Sequence, residues 1–583
     1  MGLYQKGKRF KSSLKRLVKN VFCRMAMTEK KKQKLHHTVT FKPYVQNQGW
    51  LFPPSLEELI PSEHLVRLIS QAIDGLDLSS LINAYQGGGT SSYHPKMMLK
   101  VLVYGYVKKL YSSRAIAEAL RENIGFMWLS GNQQPDHNSL NRFRSSRMKQ
   151  TVKDVFAQVL YLLIEQGRVH LNDYYIDGTK MESVAGRYTF VWAKNTARYK
   201  SKVLDKIAAL LEQIESVNEQ TEKVASKNEA AVSDRPSIAE SEALRQTIAE
   251  MNVRLADQLG ENKALKKKLS TLEKDLLPKL EKYEEQEKLL DGRNSYSKTD
   301  VDATFMRTKE DHLQNGQLKP CYNIQLGSEN QYIINYTVHQ TSSDMAVFTS
   351  HMDDTLELLE TIQAPKPRNV GADAGYGSEE NYEFLEKAGI EAYVKYSGYY
   401  KERKGKASRW HFPPSTLYYH ETEDYFICPM GQKMKFIGTQ RKTSKTGFEQ
   451  TVHRYQAQRC MNCPLRGACH KGQTERIIEV SHKSRKYRQQ AKDRLQTLKG
   501  RRMKTQRNID VEAVFGHLKH NRDFRRFKLR SLDGVHTEMG LLALAHNFKK
   551  WHTQWSKRGR VVPMKPRKSP HPANNQAKMA KRA

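Results

Sequence analysis

No run of about 18 apolar residues occurs anywhere in the 583-residue chain, so the sequence offers no helix to cross a bilayer. The nearest approach to a leader, LVKNVF at Leu17–Phe22, is flanked by lysines and too short for a signal-peptide core. The expectation is a protein that stays in the cytosol. Apolar residues make up only 38%, which points to long solvated stretches beside any core. Six cysteines in so long a chain exclude a secreted disulfide framework. Acid is missing from both ends. The first 26 residues carry eight Lys and Arg and residues 552–583 carry nine, with no Asp or Glu in either.

What is abundant is positive charge, with 98 Lys and Arg against 62 Asp and Glu. Taking the seventeen terminal charges from the total of +36 leaves +19 on the body. Such an excess favours a polyanion, through phosphate neutralisation and counterion release. Residues 1–40 and 552–583 read as basic disordered tails. Met25 and Met27 stand just before the first structured-looking stretch, so Met27 is an alternative start.

Order is expected from LFPPSLEEL onward, where Ser55 and Glu58 have capping-box spacing. Gly87–Gly89 reads as a loop, and His94 to about Lys149 has a helical pattern. Ser112–Asn123 and Asp136–Met148 are two helices there, with Ser112 or Ser113 and then Asp136 as caps and GFMWLSGNQQP as their connection. Residues 41–165 therefore read as a helical N-terminal domain, DNA-binding or else a plain packing domain, since the connection is longer than the turn of a strict helix-turn-helix. After His170 the pattern changes to short β-type runs: YYI at Tyr174, YNIQL at Tyr322, YIINYTV at Tyr332, RNVGA at Arg368 and EAYVKY at Glu391. With helical stretches between them, 166–551 reads as a mixed α/β domain.

Two insertions interrupt it. Val203, Ile207, Leu210, Ile214 and Val217 step by four and three, as do Leu244, Ile248, Met251 and Leu255, then Leu265, Leu269, Leu272 and Leu276. Gln258 and Asn262 fill the core slots between the last two sets. With Asn228–Ser241 as the connection and Pro278 ending or kinking the second helix, 196–290 is expected to be a coiled-coil hairpin, with an intermolecular coiled coil as the alternative. The second insertion, 400–480, holds Cys428, Cys460, Cys463 and Cys469. Two residues separate Cys460 from Cys463, a zinc-type spacing, and four thiolates complete a tetrahedron. A structural Zn²⁺ is expected; reduced thiols are the alternative, and His470 could replace one cysteine. Cys23 and Cys321 have no such partners.

Three acidic residues stand in suggestive surroundings. Asp177 closes an apolar strand before Gly-Thr-Lys, although Asp-Gly is also a hairpin turn. Asp373 closes RNVGA beside Gly375 and Gly377, where an open backbone suits an ion or phosphate, or where the Asp simply caps a turn. Glu512 lies on a helix striped by Val511, Val514, Phe515 and Leu518, with Lys519 two turns on. Arg525, Arg526, Lys528 and Arg530 follow, interleaved with Phe524, Phe527 and Leu529. Should these carboxylates meet, two Mg²⁺ ions held on them could stabilise the attacking and leaving oxygens of a phosphodiester. If Asp177 or Glu512 were not the ligand, Asp173 and Asp510 are the neighbours next in line. Residue chemistry alone reaches a basic, metal-dependent phosphodiester enzyme.

The stretches IDGTK around Asp177, ADAGYGS around Asp373 and VEAVFGHLK around Glu512 resemble bacterial insertion-sequence transposases of the DDE class. LFPPSLEELIPSEHLVR, YHPKMMLKVLVYGY, NGQLKPCYNIQ and LALAHNFKKW extend the resemblance over about Phe41 to Trp551. It implies an RNase H-like catalytic domain, with Asp177, Asp373 and Glu512 holding Mg²⁺ or Mn²⁺. It also implies binding of the element's terminal repeats and of target DNA, cleavage and strand transfer, as a homodimer or higher oligomer in the nucleoid. Lys519, Arg525, Arg526 and Arg530 are the expected DNA contacts. The chain departs from relatives that carry a Tyr and an Arg before the Glu: Thr505 and Asn508 stand there, with Arg507 as the candidate substitute. A nuclease without strand transfer and a non-catalytic DNA-binding protein are the rival readings.

Overall fold

The computed structural model describes residues 52–85, 92–225, 240–254, 263–308, 316–403 and 412–556. Residues 1–51 and 557–583 lie outside them, with both candidate starts and nearly all of the two tails. So do Gly87–Gly89, Leu255, Gln258, Asn262, the side chain of Val217 and most of the connection Asn228–Ser241. The chain divides into two units, Met1–Leu59 and Ile60–Ala583. In the first, Ser55 N donates to Glu58 Oε2 at 3.1 Å and Glu58 N to Ser55 Oγ at 3.3 Å, which is the reciprocal capping box.

The second unit begins with helices α1 (Leu65–Asp74), α2 (Pro95–Val107), α3 (Ser113–Glu122), α4 (Ile124–Ser130), α5 (His137–Arg142) and α6 (Met148–Glu165). Pro95 starts α2, whose preceding His94 accepts from Lys96 N at 3.2 Å. Asp136 caps α5 as expected, accepting from Ser139 N at 2.9 Å. Ser112 occupies the cap position of α3 but makes no side-chain capping bond. The expected connection GFMWLSGNQQP is instead largely α4. Asn123 caps that helix through Gly125 N at 3.0 Å, and Gly131 stops it at φ 57°. Phe126 and Leu129 are buried there, so the apolar run is used rather than exposed.

Along the chain follow β1 (Asp173–Glu182), β2 (Phe190–Trp192) and a helical excursion returning at β3 (Ser295–Ser297). Then come β4 (Thr304–Arg307), β5 (Leu318–Glu329), β6 (Tyr332–His339), α-helix Phe348–Thr361, β7 (Asn369–Ala372), α-helix Glu379–Lys387 and β8 (Glu391–Val394). The main sheet has the order β4-β5-β1-β7-β8, with β6 also paired to β5. β1 is antiparallel to β5 and parallel to β7, which is parallel to β8. All five β-type runs of the sequence are strands of this sheet. Glu329 sets the start of β1: its carboxylate accepts from the backbone of His170, Leu171, Asn172 and Asp173 at 2.6–3.2 Å. Across the sheet a Cβ on Gly327 would stand 1.7 Å from the Tyr174 hydroxyl, so only glycine permits that contact.

The excursion between β2 and β3 contains α7 (Ala193–Ala225), α8 (Ser241–Arg254), α9 (Lys263–Thr271) and α10 (Leu277–Leu290). Val203, Ile207, Ile214, Leu244, Ile248, Met251, Leu265, Leu269, Leu272 and Leu276 form a hydrophobic core of their own. The two-helix hairpin expected from the heptads is corrected, because the second half folds back on itself. Arg245 pairs with Glu281 and Ser241 N donates to Glu284 Oε1 at 2.8 Å, so α8 runs antiparallel to α10. Thr196 Oγ1 donates to Gln286 Oε1 at 3.1 Å and Tyr199 stacks on Tyr283, so α7 does too. A period of 3.5 reports which residues are buried and is blind to where the chain reverses. Nor does Pro278 end the helix: a π-helical turn at Leu272–Leu276 precedes it, and α10 starts around it.

A second sheet, β9 (Tyr419–His420), β10 (Tyr425–Ile427), β11 (Lys433–Thr443), β12 (Glu449–Gln456) and β13 (Ile477–Val480), is an antiparallel meander in chain order. It falls in the Cys-rich region, with Phe426, Met434, Tyr455 and Ile478 as its core. The chain continues in α11 (His482–Gln496), α12 (Leu498–Arg507) and, at the end, α13 (Leu532–Ser556). α13 packs on α2, α6 and β6, tying the helical region to the sheet. Buried Glu538 on it accepts from Lys528 N, Leu529 N and the Tyr106 hydroxyl at 2.7–3.1 Å. No helix of the described residues is long and apolar enough to cross a membrane.

Because β2 and β3 pair at the base of the excursion, residues 194–292 should be replaceable by a short flexible linker. The expected product is soluble and unfolds cooperatively near the parent temperature by circular dichroism; a molten or insoluble product would show that the helices support the sheet.

Candidate functional site

The site is built where β1, β7 and the helix after α12 meet. Asp177 does not close β1, as the sequence suggested, but stands midway along it, opposite Leu326 of β5. That pairing continues to Glu182 and excludes the hairpin-turn reading of Asp-Gly. A Cβ on Gly178 would come within 2.7 Å of Gln325 and Asp344, so the glycine lets that network approach. Asp373 follows β7 directly. The parallel register matches Asp173 with Asn369 and Tyr175 with Gly371, and continuing it by two residues sets Asp373 level with Asp177. In adjacent parallel strands, residues at one level face the same side. Asp373 Oδ1 caps the turn after it, accepting from Gly375 N at 2.8 Å, while Oδ2 faces the site. Of the two readings of this residue, the turn cap is the one observed.

Glu512 comes from the other direction. α12 does not stop at Arg507 but runs through a π-helical turn, Asn508–Glu512, a short α segment and a second π-helical turn, His517–Asn521. Residues five apart on an α-helix stand about 140° apart. A turn closed by i→i+5 bonds brings them close to one face instead, and such turns mark functional positions. Here it brings Arg507 and Glu512 together. The turn is pinned by Asp510, whose Oδ1 accepts from Ser328 Oγ at 2.9 Å and Gln331 N at 2.6 Å. Met503 and Val511 anchor the same helix against Tyr175, Leu495 and Tyr393.

All three carboxylates meet one guanidinium. Arg507 Nη2 lies 3.0 Å from Asp177 Oδ2 and 3.9 Å from Asp373 Oδ2, and Nη1 lies 3.5 Å from Glu512 Oε1. The Arg507 side chain is 5% exposed whereas that of Glu512 is 58% exposed, so the cluster has a closed floor and an open rim. Arg507 Nε is buried and makes no hydrogen bond among the described residues. Behind the cluster the Tyr376 hydroxyl donates to Gln325, whose Nε2 donates to Asp344 at 3.0 Å. Lys180 Nζ bonds both oxygens of Asp344 at 2.9 and 3.0 Å. Burial and then the charges of Asp177, Asp344 and Asp373 push the Tyr376 phenol well above its ordinary range. It therefore remains a neutral donor.

Three hard carboxylates are a suitable donor set for Mg²⁺. As they stand they surround a cation that is part of the protein. Among the described residues no group of three or more His, Cys, Asp or Glu closes around a common point as a metal site would.

The alternatives named from sequence stand elsewhere. Asp173, at the other end of β1, accepts from Asn369 Nδ2 at 2.7 Å. Asp510 is buried, with its pKa raised mainly by that burial. The expected DNA contacts divide. Lys519 is carried into the fold by the second π-helical turn and donates to the Lys180 carbonyl at 3.2 Å. Arg526 spends Nε and Nη2 on the carbonyls of Ser183 and Ala185 at 2.9 and 2.8 Å. Arg525 and Arg530 are exposed. The sequence reading passed over α11 and α12, where residues 482–507 hold eleven Lys and Arg against Asp493 alone. Lys483, Arg485, Lys486, Lys492, Arg494, Lys499, Arg501 and Arg502 are exposed there. Charge density was the signal available. Asp344 had none, whereas Lys180 and Gln325 lay inside the IDGTK and NGQLKPCYNIQ stretches.

Cys428, Cys460, Cys463 and Cys469 line one small cavity together with Arg476, and all four are free thiols. Gln432 N points at Cys428 Sγ (3.3 Å), Arg476 N at Cys460 Sγ (3.4 Å) and Arg476 Nη1 at Cys469 Sγ (2.8 Å). His470 is turned away to the Thr474 carbonyl at 2.9 Å.

Residues 427–552 match the family described as transposase DDE domain, and residues 54–146 match that described as transposase domain (DUF772). The first span holds the cysteine region, α11, α12 and Glu512; the second lies in the helical region. Neither a curated protein nor a solved structure matches the chain. Two transposase families thus meet in one chain and support an insertion-sequence transposase of the DDE class.

The contacts of Lys519 and Arg526 separate two kinds of basic residue. Lys519→Ala and Arg526→Ala are expected to lower the melting temperature. Lys486→Ala with Lys492→Ala should leave it unchanged while flattening the salt dependence of DNA binding, by roughly one unit of slope for each phosphate no longer neutralised. Equal stability losses in both sets would erase the distinction.

Proposed function

We propose that this chain is a DNA transposase that binds the ends of its own insertion sequence and performs metal-dependent cleavage and strand transfer. The observation that carries this reading is the convergence of Asp177, Asp373 and Glu512, from three separate elements, on Arg507. Their distribution supports an RNase H-like catalytic core, with Asp177 on the central strand, Asp373 beside it and Glu512 on a covering helix. Asp177, Asp373 and Glu512 are the residues that would hold Mg²⁺ or Mn²⁺. Two such ions would polarise the scissile phosphate and stabilise attacking and leaving oxygens.

What the chain itself contributes is placement. The strand register fixes the two aspartates side by side, and the π-helical turn aims Glu512 at them. Tyr376, Gln325, Asp344 and Lys180 form a hydrogen-bonded backing that resists their displacement. The exposed basic residues of α11 and α12, with Arg525 and Arg530, would give double-stranded DNA its binding surface. Terminal repeats and target DNA are the partners in this reading, with a homodimer or higher oligomer assembling on them in the nucleoid.

Asp177→Asn, Asp373→Asn and Glu512→Gln should each lose cleavage of end-containing DNA by about 100-fold or more, by analogy with removing other transition-state stabilisers. DNA affinity at fixed salt should survive, since it comes from Lys and Arg. Near-parental cleavage by any one variant would remove that residue from the triad. Supplying a pre-cleaved end with a target plasmid separates transposition from hydrolysis, because only the former yields joined product.

We also propose a structural Zn²⁺ on Cys428, Cys460, Cys463 and Cys469. The shared cavity and the N–H donors aimed at two of the sulfurs support it, as does the spacing of Cys460 and Cys463. Arg476 would yield Cys469 to the metal. Cys460→Ser with Cys463→Ser should lose bound zinc and lower the melting temperature, because such binding is folding free energy. Metal analysis finding no zinc in parental protein purified without chelator would sink this assignment.

A further inference from the structure

Arg507 is the least expected member of the site. A guanidinium shut away from water is costly unless its charge is met, and here three carboxylates meet it. Conversely, three carboxylates crowded into one space repel one another unless a cation stands among them. Arg507 answers both demands in the metal-free protein. Its planar shape matters, because Nη2 reaches Asp177 and Asp373 while Nη1 reaches Glu512, a fork that a point charge could not make. Yet Nε remains buried without a hydrogen bond among the described residues, so the guanidinium is held by charge with part of its donor set unused.

The same geometry cannot persist with metal present. Mg²⁺ binds carboxylate oxygens at about 2.0–2.1 Å. The oxygens it needs are those now turned to the guanidinium, and an ion placed on them would stand a few ångströms from a like charge with little water between.

We propose that Arg507 is a resident counter-cation that holds Asp177, Asp373 and Glu512 together before metal arrives and is displaced from them when divalent ions enter. This rests on the reading of those three residues as metal ligands. Exchange is between cations at one set of oxygens, with no covalent change. Glu512, at the open rim, is the first oxygen donor a metal can reach, and Asp177, nearest the guanidinium, is the last to be released. A displaced guanidinium turns toward the open rim at Glu512, where a DNA phosphate is the natural anion for it. Metal loading and DNA capture are coupled through one side chain. Arg507 acts as a positioning residue.

The experiment uses the full chain and Mn²⁺ as the probe, with bound metal counted from the loss of the free-ion paramagnetic resonance signal. Arg507→Gln should bind Mn²⁺ about 10-fold or more tightly than the parent, since the competing cation is gone. It should melt lower than the parent in chelator and recover when Mn²⁺ is added. Arg507→Lys, which keeps the charge without the fork, should fall between the two. A purely structural Arg507 predicts the opposite pattern, a lower melting temperature with and without metal and no gain in Mn²⁺ affinity. Should Arg507→Gln fail to fold, the parent answers by itself. Phenylglyoxal, followed by peptide mass spectrometry, should leave Arg507 unmodified in chelator and modify it once Mn²⁺ is bound. Protection in both states overturns the proposal, as does unchanged Mn²⁺ affinity in a folded Arg507→Gln. If Mn²⁺ fails to bind the parent, or binds Asp177→Asn equally well, the three-carboxylate reading itself falls, and this inference with it.

Discussion

Like charges brought together repel, and the core of this protein is organised around containing that repulsion. Asp177, Asp373 and Glu512 would drive each other apart in the absence of a cation. A strand register fixes the first two and a helix clamped through Asp510 fixes the third. Arg507 supplies the charge that allows all three to coexist in the folded chain. The surrounding polar network has the same purpose: Lys180 neutralises Asp344, while Gln325 and the neutral Tyr376 fill the space between Asp344 and the cluster.

Rigid support comes from buried polar groups that are met by partners. Glu329 gathers four successive backbone amides and sets the start of β1, four residues ahead of Asp177. Glu538 acts in a similar way where α13 closes over the helical region, joining Lys528 N and Leu529 N to the Tyr106 hydroxyl. Such contacts are strong because a charged acceptor in a dry setting loses much if any donor leaves. The helical excursion and the five-stranded meander, by contrast, have hydrophobic cores of their own. They enlarge the protein without entering the carboxylate cluster.

Much of this was legible in the residues. The five apolar runs after His170 are strands because a strand buried on both faces leaves a short, nearly continuous apolar run in the sequence. Asp136 was recognisable as a cap because a short acceptor before a helical run has few other uses. Errors arose where identical local chemistry permits different global paths. GFMWLS is apolar enough for a loop that packs or for a helix, and Asn123 and Gly131 decide for α4. Ten of the heptad residues are buried in the helical excursion, with Leu210 partly so and Val217 and Leu255 outside the described side chains, yet the reversal between α8 and α9 left no periodic trace. Lys519 looked like a phosphate contact on an α-helical face, but the second π-helical turn carries it inward to a carbonyl.

The sequence by itself determined which side chains could carry phosphodiester chemistry, and that the chain is strongly basic, because residue types, net charge and motif spacing are local properties. Asp177 and Asp373 are 196 positions apart in it, and nothing in that separation says they stand side by side on neighbouring strands. The tertiary structure decided that, since parallel pairing of β1 and β7 sets them at one level. It alone decided that Arg507 stands among the three carboxylates: a π-helical turn alters which face a residue occupies, and that turn is imposed by the sheet to which Asp510 is bonded.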